Sequence, residues 1–206
     1  MSDSQREPKL LRASKNHSRD WGRLNWDIGV NSDLLVVSKS GRTVTWQPSQ
    51  IGPDGKNNNP CWVPVRTGAN LYNGRFCFDF IVDEMASRQI GVGFMLLWNV
   101  GPDWGFFGYL GASSTAWAYD PSTGDVVTRT KSIQGNLPVF ANGRSGVVSL
   151  ELNLPVDAEG YAVFEVEGVK SNAIKLPVGA VILPAACLLA ESQQVTLGPL
   201  KFENIA

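Results

Sequence analysis

Gly105-Phe-Phe-Gly-Tyr-Leu-Gly-Ala-Ser-Ser-Thr-Ala-Trp-Ala-Tyr-Asp120 follows the apolar run Ile90-Gly-Val-Gly-Phe-Met-Leu-Leu-Trp98. Side chains alternate across a strand, so this order puts Trp117 and Tyr119 on one face and Ala116 and Ala118 on the other. The glycines do not end in Lys-Ser or Lys-Thr, as a phosphate-cradling loop requires, and Gly91 and Gly93 are expected where strands pack closely. The stretch therefore reads as sheet architecture.

Outward from it, short apolar runs recur between turn signals. Asp33-Leu-Leu-Val-Val-Ser38 and Thr43-Val-Thr-Trp-Gln47 flank Lys39-Ser-Gly-Arg42 and predict a hairpin. Residues 48–60 hold Gly52-Pro-Asp-Gly55 and Asn57-Asn-Asn59 and predict a long exposed loop. Asp83-Glu-Met-Ala-Ser-Arg88 is short enough for a hairpin connection. Asp120-Pro-Ser-Thr-Gly124 predicts a turn, with Asp125-Val-Val-Thr-Arg-Thr130 as the next strand. The 43% hydrophobic content, 21 Gly and 12 Pro of the 206 residues favour many short strands over long helices. A sandwich of this length commonly stays undivided, so one domain over 21–206 is expected, with Trp21 and Trp26 as early core anchors. Residues 1–20 are polar and cannot bury enough apolar surface to order themselves. They are expected to form a flexible arm.

The strand order resembles that of the SPRY (B30.2) domain family. An Ile-Gly-Val strand, a variable loop, Leu110-Gly111, then Ser or Thr before Trp117-Ala-Tyr119 matches its central part. Asn73-Gly-Arg-Phe-Cys-Phe-Asp-Phe80 is similar to its Gly-Lys/Arg-His-Tyr-Trp-Glu-Val strand, with Phe78 at the Trp position and Asp79 at the Glu position. Gly146-Val-Val-Ser-Leu-Glu-Leu-Asn153, Tyr161-Ala-Val-Phe-Glu-Val-Glu-Gly168, Ala180-Val-Ile-Leu-Pro-Ala-Ala-Cys-Leu-Leu189 and Gln194-Val-Thr-Leu-Gly198 continue the resemblance in order. Glu167-Gly168 replaces the family's Asn-Gly turn. The resemblance implies an all-β, antiparallel sandwich of concanavalin-like type, acting as a noncatalytic protein-interaction module. In peptide-binding members the residues before the Leu-Gly strand end contribute to the groove, and Phe106 and Tyr109 correspond to them. The family's Arg-Gly-Thr groove element has no counterpart in Met85-Ala-Ser-Arg88.

Catalytic signals are sparse. His17, the one histidine, lies in the arm, where neither a triad nor a metal site has a scaffold. Glu165 and Glu167 are two apart and would share a strand face, the arrangement a glycosidase needs. Solvent-facing carboxylates alternating with Phe164 and Val166 give the same pattern. Cys61, Cys77 and Cys187 have no metal or disulfide spacing, and Cys77 and Cys187 are expected to be small buried hydrophobes. No enzyme, cofactor or metal is therefore expected. The formal net charge of −1 provides no field for nucleic acid or an anionic membrane. The start shows no apolar signal core, and no apolar run has membrane-spanning length, so an intracellular, cytoplasmic location is expected.

Binding chemistry concentrates in two loops. Trp98, Trp104, Phe106, Phe107 and Tyr109 crowd around Gly101-Pro-Asp103, and rigid rings on a loop suit a protein or peptide interface. Trp98, Asp103, Trp104, Phe106 and Tyr109, with Asp54 and Asn58 of the 48–60 loop, are the expected partner-binding residues, helped by 134–144. The alternative is a lectin-like sandwich, in which exposed Trp stacks on sugar rings and Asp or Asn supplies polar contacts.

Overall fold

The computed structural model describes residues 24–27, 35–46, 63–83, 90–97, 115–128, 131–140, 144–189 and 193–203. The arm at 1–20, Trp21 and the loops at 48–60 and 98–109 lie outside them. Among the described residues there is no α-helix, and two antiparallel sheets carry the fold.

In chain order the strands are β1 (Trp26–Asp27), β2 (Leu35–Val37), β3 (Thr43–Trp46), β4 (Val63–Thr67), β5 (Gly74–Asp83), β6 (Ile90–Leu96), β7 (Ala116–Asp120) and β8 (Asp125–Thr128). Then follow β9 (Lys131–Gln134), β10 (Gly146–Leu154), β11 (Gly160–Val166), β12 (Val169–Lys170), β13 (Ile174–Leu176), β14 (Ile182–Leu188), β15 (Gln194–Leu197) and β16 (Lys201–Glu203). A seven-stranded sheet runs β1-β4-β14-β6-β7-β8-β9. A nine-stranded sheet runs β12-β11-β10-β5-β15-β3-β2, with β13 on β11 and β16 on β5.

The predicted hairpin at 33–47 is present: β2 pairs β3, and the turn closes through Gly41 N to Ser38 O at 2.8 Å. The predicted hairpin across 83–88 is not. β5 and β6 belong to different sheets, so this short connection crosses the sandwich. Each strand buries an apolar set, and an arch that lays both sets against one core satisfies them as well as pairing would.

Inside the sandwich Phe94 of β6 stacks on Trp117 of β7 at 5.1 Å and on Phe164 of β11, across the core, at 6.1 Å. Tyr119 is fully buried on the same face as Trp117, while Ala116 and Ala118 belong to a separate outer cluster, as the alternation requires. Trp26 is buried and pins the two sheets, its Nε1 donating to Val195 O at 3.1 Å. Gly93 is enforced by its neighbour: a Cβ there would collide with the carbonyl oxygen of Trp117 on the paired strand.

The outer cluster comprises Met95, Ala116, Ala118, Leu183, Ala185 and Cys187, all buried. Register aligns them in rows, Leu183 with Met95 and Ala116, then Ala185 with Gly93 and Ala118. Cys77 departs from the expected core position. It faces outward on β5 and is half-buried, because Phe76 and Phe78 take the inward places.

Candidate functional site

Strand directions sort the connections to two ends of the sandwich. At one end β6 finishes and β7 begins: Ile182 lies beside Leu96, Leu71 exchanges hydrogen bonds with Ile182 at 2.8 Å each way, and Leu96 N donates to Thr115 O at 2.8 Å. Leu97 and Thr115 flank residues 98–114 here. At the opposite end β7 finishes at Asp120 and β6 begins at Ile90. Val63 pairs with Leu188 and Trp46 N donates to Gln193 O at 3.0 Å, so the flanks of residues 47–62 lie there.

Trp98, Asp103, Trp104, Phe106, Tyr109, Asp54 and Asn58 themselves lie outside the described residues. Their flanks show that the aromatic and Asn-rich connections leave the sandwich from opposite ends. The described part of 134–144 belongs to the Asp120 end. Leu137 N donates to Gly124 O at 3.1 Å, Phe140 N to Pro121 O at 2.8 Å, and the Tyr119 hydroxyl to Pro138 O. Burial, reinforced by Asp120 and Glu167, raises the Tyr119 pKa, so the phenol remains a proton donor. Asp120 accepts from Ser122 N at 2.9 Å and from Ser122 Oγ at 2.7 Å; burial nevertheless pushes its carboxyl above the ordinary range. This segment is a pinned platform, with half-exposed Val139 its most accessible apolar side chain.

Among the described residues two buried side-chain donors, one near each end, have no acceptor from the protein. Trp46 Nε1 belongs to the last residue of β3, beside the flank of 47–62. Asn70 Nδ2 belongs to the bend between β4 and Leu71, at the Leu96 end. Asn70 is only 2% exposed, and a buried donor left unmatched costs roughly 1–3 kcal/mol. Thr67 and Thr115, also buried, lie at that end, and Thr67 Oγ1 donates to Ala69 O at 2.9 Å. Sequence reading passed over both residues. Trp46 stands in the sequence only as part of the second hairpin strand, and Asn70 lies among the turn-forming residues between Gly68 and Gly74.

The outer face of the nine-stranded sheet carries the polar cluster. Ser149 Oγ donates to Asp79 Oδ1 at 2.6 Å, and Tyr161 donates its hydroxyl proton to Glu151 at 3.2 Å. Lys170 lies 3.4 Å from Glu151 and 3.5 Å from Glu165, and these carboxylates raise its pKa. Burial, then the nearby Asp79, pushes the Cys77 thiol up, away from a reactive thiolate. Glu165 and Glu167 do not share a strand face. Glu167 occupies the turn at a φ of 48°, next to Gly168 at 80°, and pairs with Arg144 at 3.8 Å. The carboxylates are thus engaged by different cations, not aimed together at a cleft. Among the described residues no group of three or more His, Cys, Asp or Glu side chains could hold a metal ion.

No family model and no curated protein sequence matches the chain. Solved structures do. The SPRY domain of human HERC1 superposes with a TM-score of 0.57 at 12% identity, covering 85% of this chain and 98% of that one. A human SPRY domain gives 0.59 at 14% identity over 80% and 94%, and the PSpry domain of TRIM65 gives 0.57 at 14% over 84% and 90%. With its two antiparallel sheets and their strand order, this chain has the fold of a SPRY domain.

Proposed function

We propose that this chain is a noncatalytic protein-interaction module that holds a segment of a partner protein at the Leu96 end of the sandwich. One observation carries the reading. β6 and β7 are antiparallel neighbours that a two-residue turn could join, yet residues 98–114 stand between Leu97 and Thr115. That insertion holds Trp98, Asp103, Trp104, Phe106 and Tyr109. A long connection on a rigid sheet is a common place for binding function, and aromatic rings supply contact area at small entropic cost. The SPRY fold supports the same reading. Asp54 and Asn58 form a separate contact region, because the flanks of their connection lie at the far end.

The test is affinity capture on the full chain, followed by peptide-array mapping of the captured protein and a parallel glycan array. Retention of linear peptides that weakens in Trp104→Ala or Phe106→Ala is expected. Sugar binding lost in Asp54→Ala or Asn58→Ala, with no peptide retained, would replace this reading with the lectin-like one.

A further inference from the structure

We propose that the connections at 155–159 and 177–179 form a docking surface for the chain's own N-terminal segment, with Leu10 and Leu11 on Val156 and Val178, and Lys9 and Arg12 against Asp157 and Glu159. The inference stands independently of the interaction reading. Val156 and Val178 are 53% and 52% exposed, the two most exposed large apolar side chains among the described residues. The ladder makes them neighbours. Gly160 pairs with Leu176, so the connection before β11 and the one after β13 leave the sheet side by side and in the same direction. Exposed Ala158, with half-buried Pro155 and Pro177, extends the apolar surface between them. Both connections are held in place: Ala180 N donates to Pro177 O at 3.2 Å, and Gly160 lies so close to Asn153 O that a Cβ would collide with it. Asp157 and Glu159 are exposed as well, and among the described residues neither has an ion-pair partner. Exposed valines beside unpaired carboxylates fit a segment whose apolar side chains are bracketed by cations.

The chain carries that pattern. Residues 1–23, outside the described part, contain Lys9-Leu-Leu-Arg12 and six Arg or Lys against three Asp or Glu. The whole chain has a formal net charge of −1, so the remainder is net negative. The point of entry is also right. Gly68 N donates to Asn25 O at 3.0 Å, and Leu71 bonds Ile182, so the segment joins the sandwich at the Leu96 end. The two connections project from that same end, since Leu154 pairs with Gly74 and Val178 shortly precedes Ile182. From Asn25 through Gly68, Leu71 and Ile182 to Val178 the path is about 35 Å at most, whereas residues 13–24 reach about 40 Å when extended. Tethering compensates for the small contact, because a short flexible linker holds its end at an effective concentration on the order of millimolar.

The full chain, as an equal mixture of isotopically light and heavy protein, is treated with a water-soluble carbodiimide, which joins an amine to a carboxylate it touches. Mass spectrometry of the proteolytic products then maps the new amides. Wild type is compared with Leu10→Ser/Leu11→Ser and Val156→Ser/Val178→Ser, with thermal midpoints for all three. The proposal expects an amide from Lys9 to Asp157 or Glu159 within one copy, at a yield roughly fivefold lower in each variant, with unchanged midpoints. No such amide in wild type overturns it, as does a yield equal in wild type and both variants. An amide found only between a light and a heavy copy overturns it in favour of a second copy as the occupant. If Val156→Ser/Val178→Ser does not fold, Leu10→Ser/Leu11→Ser decides: a lowered yield supports the proposal and an equal one overturns it.

Discussion

The two sheets of this sandwich treat their outer faces differently. On the seven-stranded sheet, β6 and β14 are buried at every position, and Met95, Leu183, Ala185 and Cys187 form an apolar layer on the side away from the core. On the nine-stranded sheet, β10 and β11 alternate. Leu150, Leu152 and Phe164 turn inward, while Ser149, Glu151 and Glu165 face out into an ion-pair cluster around Lys170. One outer face is therefore structural and the other solvated. The proposed binding region lies at an end of the sandwich and on neither of these faces.

Charge insertion gives the largest expected contrast. Ala118→Asp would bury an unpaired carboxylate in the outer apolar layer and is expected to destabilise by several kcal/mol, enough to unfold a marginal domain. Val147→Asp, at a position 47% exposed on the other sheet, should remain within about 0.5 kcal/mol of wild type. Urea denaturation of the pair checks this. Equal losses would abolish the distinction between the faces.

The core stack sharpens the comparison at the next level. Phe94 is fully buried between Trp117 and Phe164, so Phe94→Ala should cost about 3–5 kcal/mol. Trp117 is only partly buried, and its replacement by Ala should cost about 1–3 kcal/mol in lost burial and stacking. A reversed order in thermal unfolding would mean that Trp117, not Phe94, is the keystone of β6 and β7.

The smallest expected effect is a pH dependence at the Asp120 turn. Burial raises the folded-state pKa of Asp120 above its ordinary value of 3.8. The neutral acid is therefore favoured in the fold, and its contribution is fully present below that value and lost as pH rises through the raised one. Asp120→Asn keeps an oxygen for the Ser122 contacts and removes the ionisation. Its stability relative to wild type should rise between acid and neutral pH and level off beyond; a difference flat in pH would show that Asp120 is adequately solvated.

Much of this architecture was legible because period-two alternation directly reports one buried face, as in Phe76, Phe78 and Phe80 of β5. The Trp117-Ala118-Tyr119 trio was assigned to the right faces on the same ground. The 83–88 connection misled because a short polar link serves equally for a hairpin and for an arch between sheets. Glu167 misled because a turn with two positive φ angles is usually marked by Asn or Gly, and Glu at the first place gives no such mark. Cys77 was placed inward because its apolar neighbours hid its parity. Asn70 was invisible for a different reason. Its unmatched donor emerges only when every long-range partner is known, and a lone Asn near glycines signals a turn.

The central claim is that the rings between Leu97 and Thr115 bind a partner and do not hold the domain together. Calorimetric titration of the mapped partner peptide into Trp104→Ala and Phe106→Ala, beside thermal unfolding of the same variants, tests it most directly. The account predicts at least tenfold weaker binding, within the roughly 1–4 kcal/mol range of interface hot spots, and unchanged melting midpoints. Lower melting midpoints in both variants, with affinity per folded molecule intact, would contradict it.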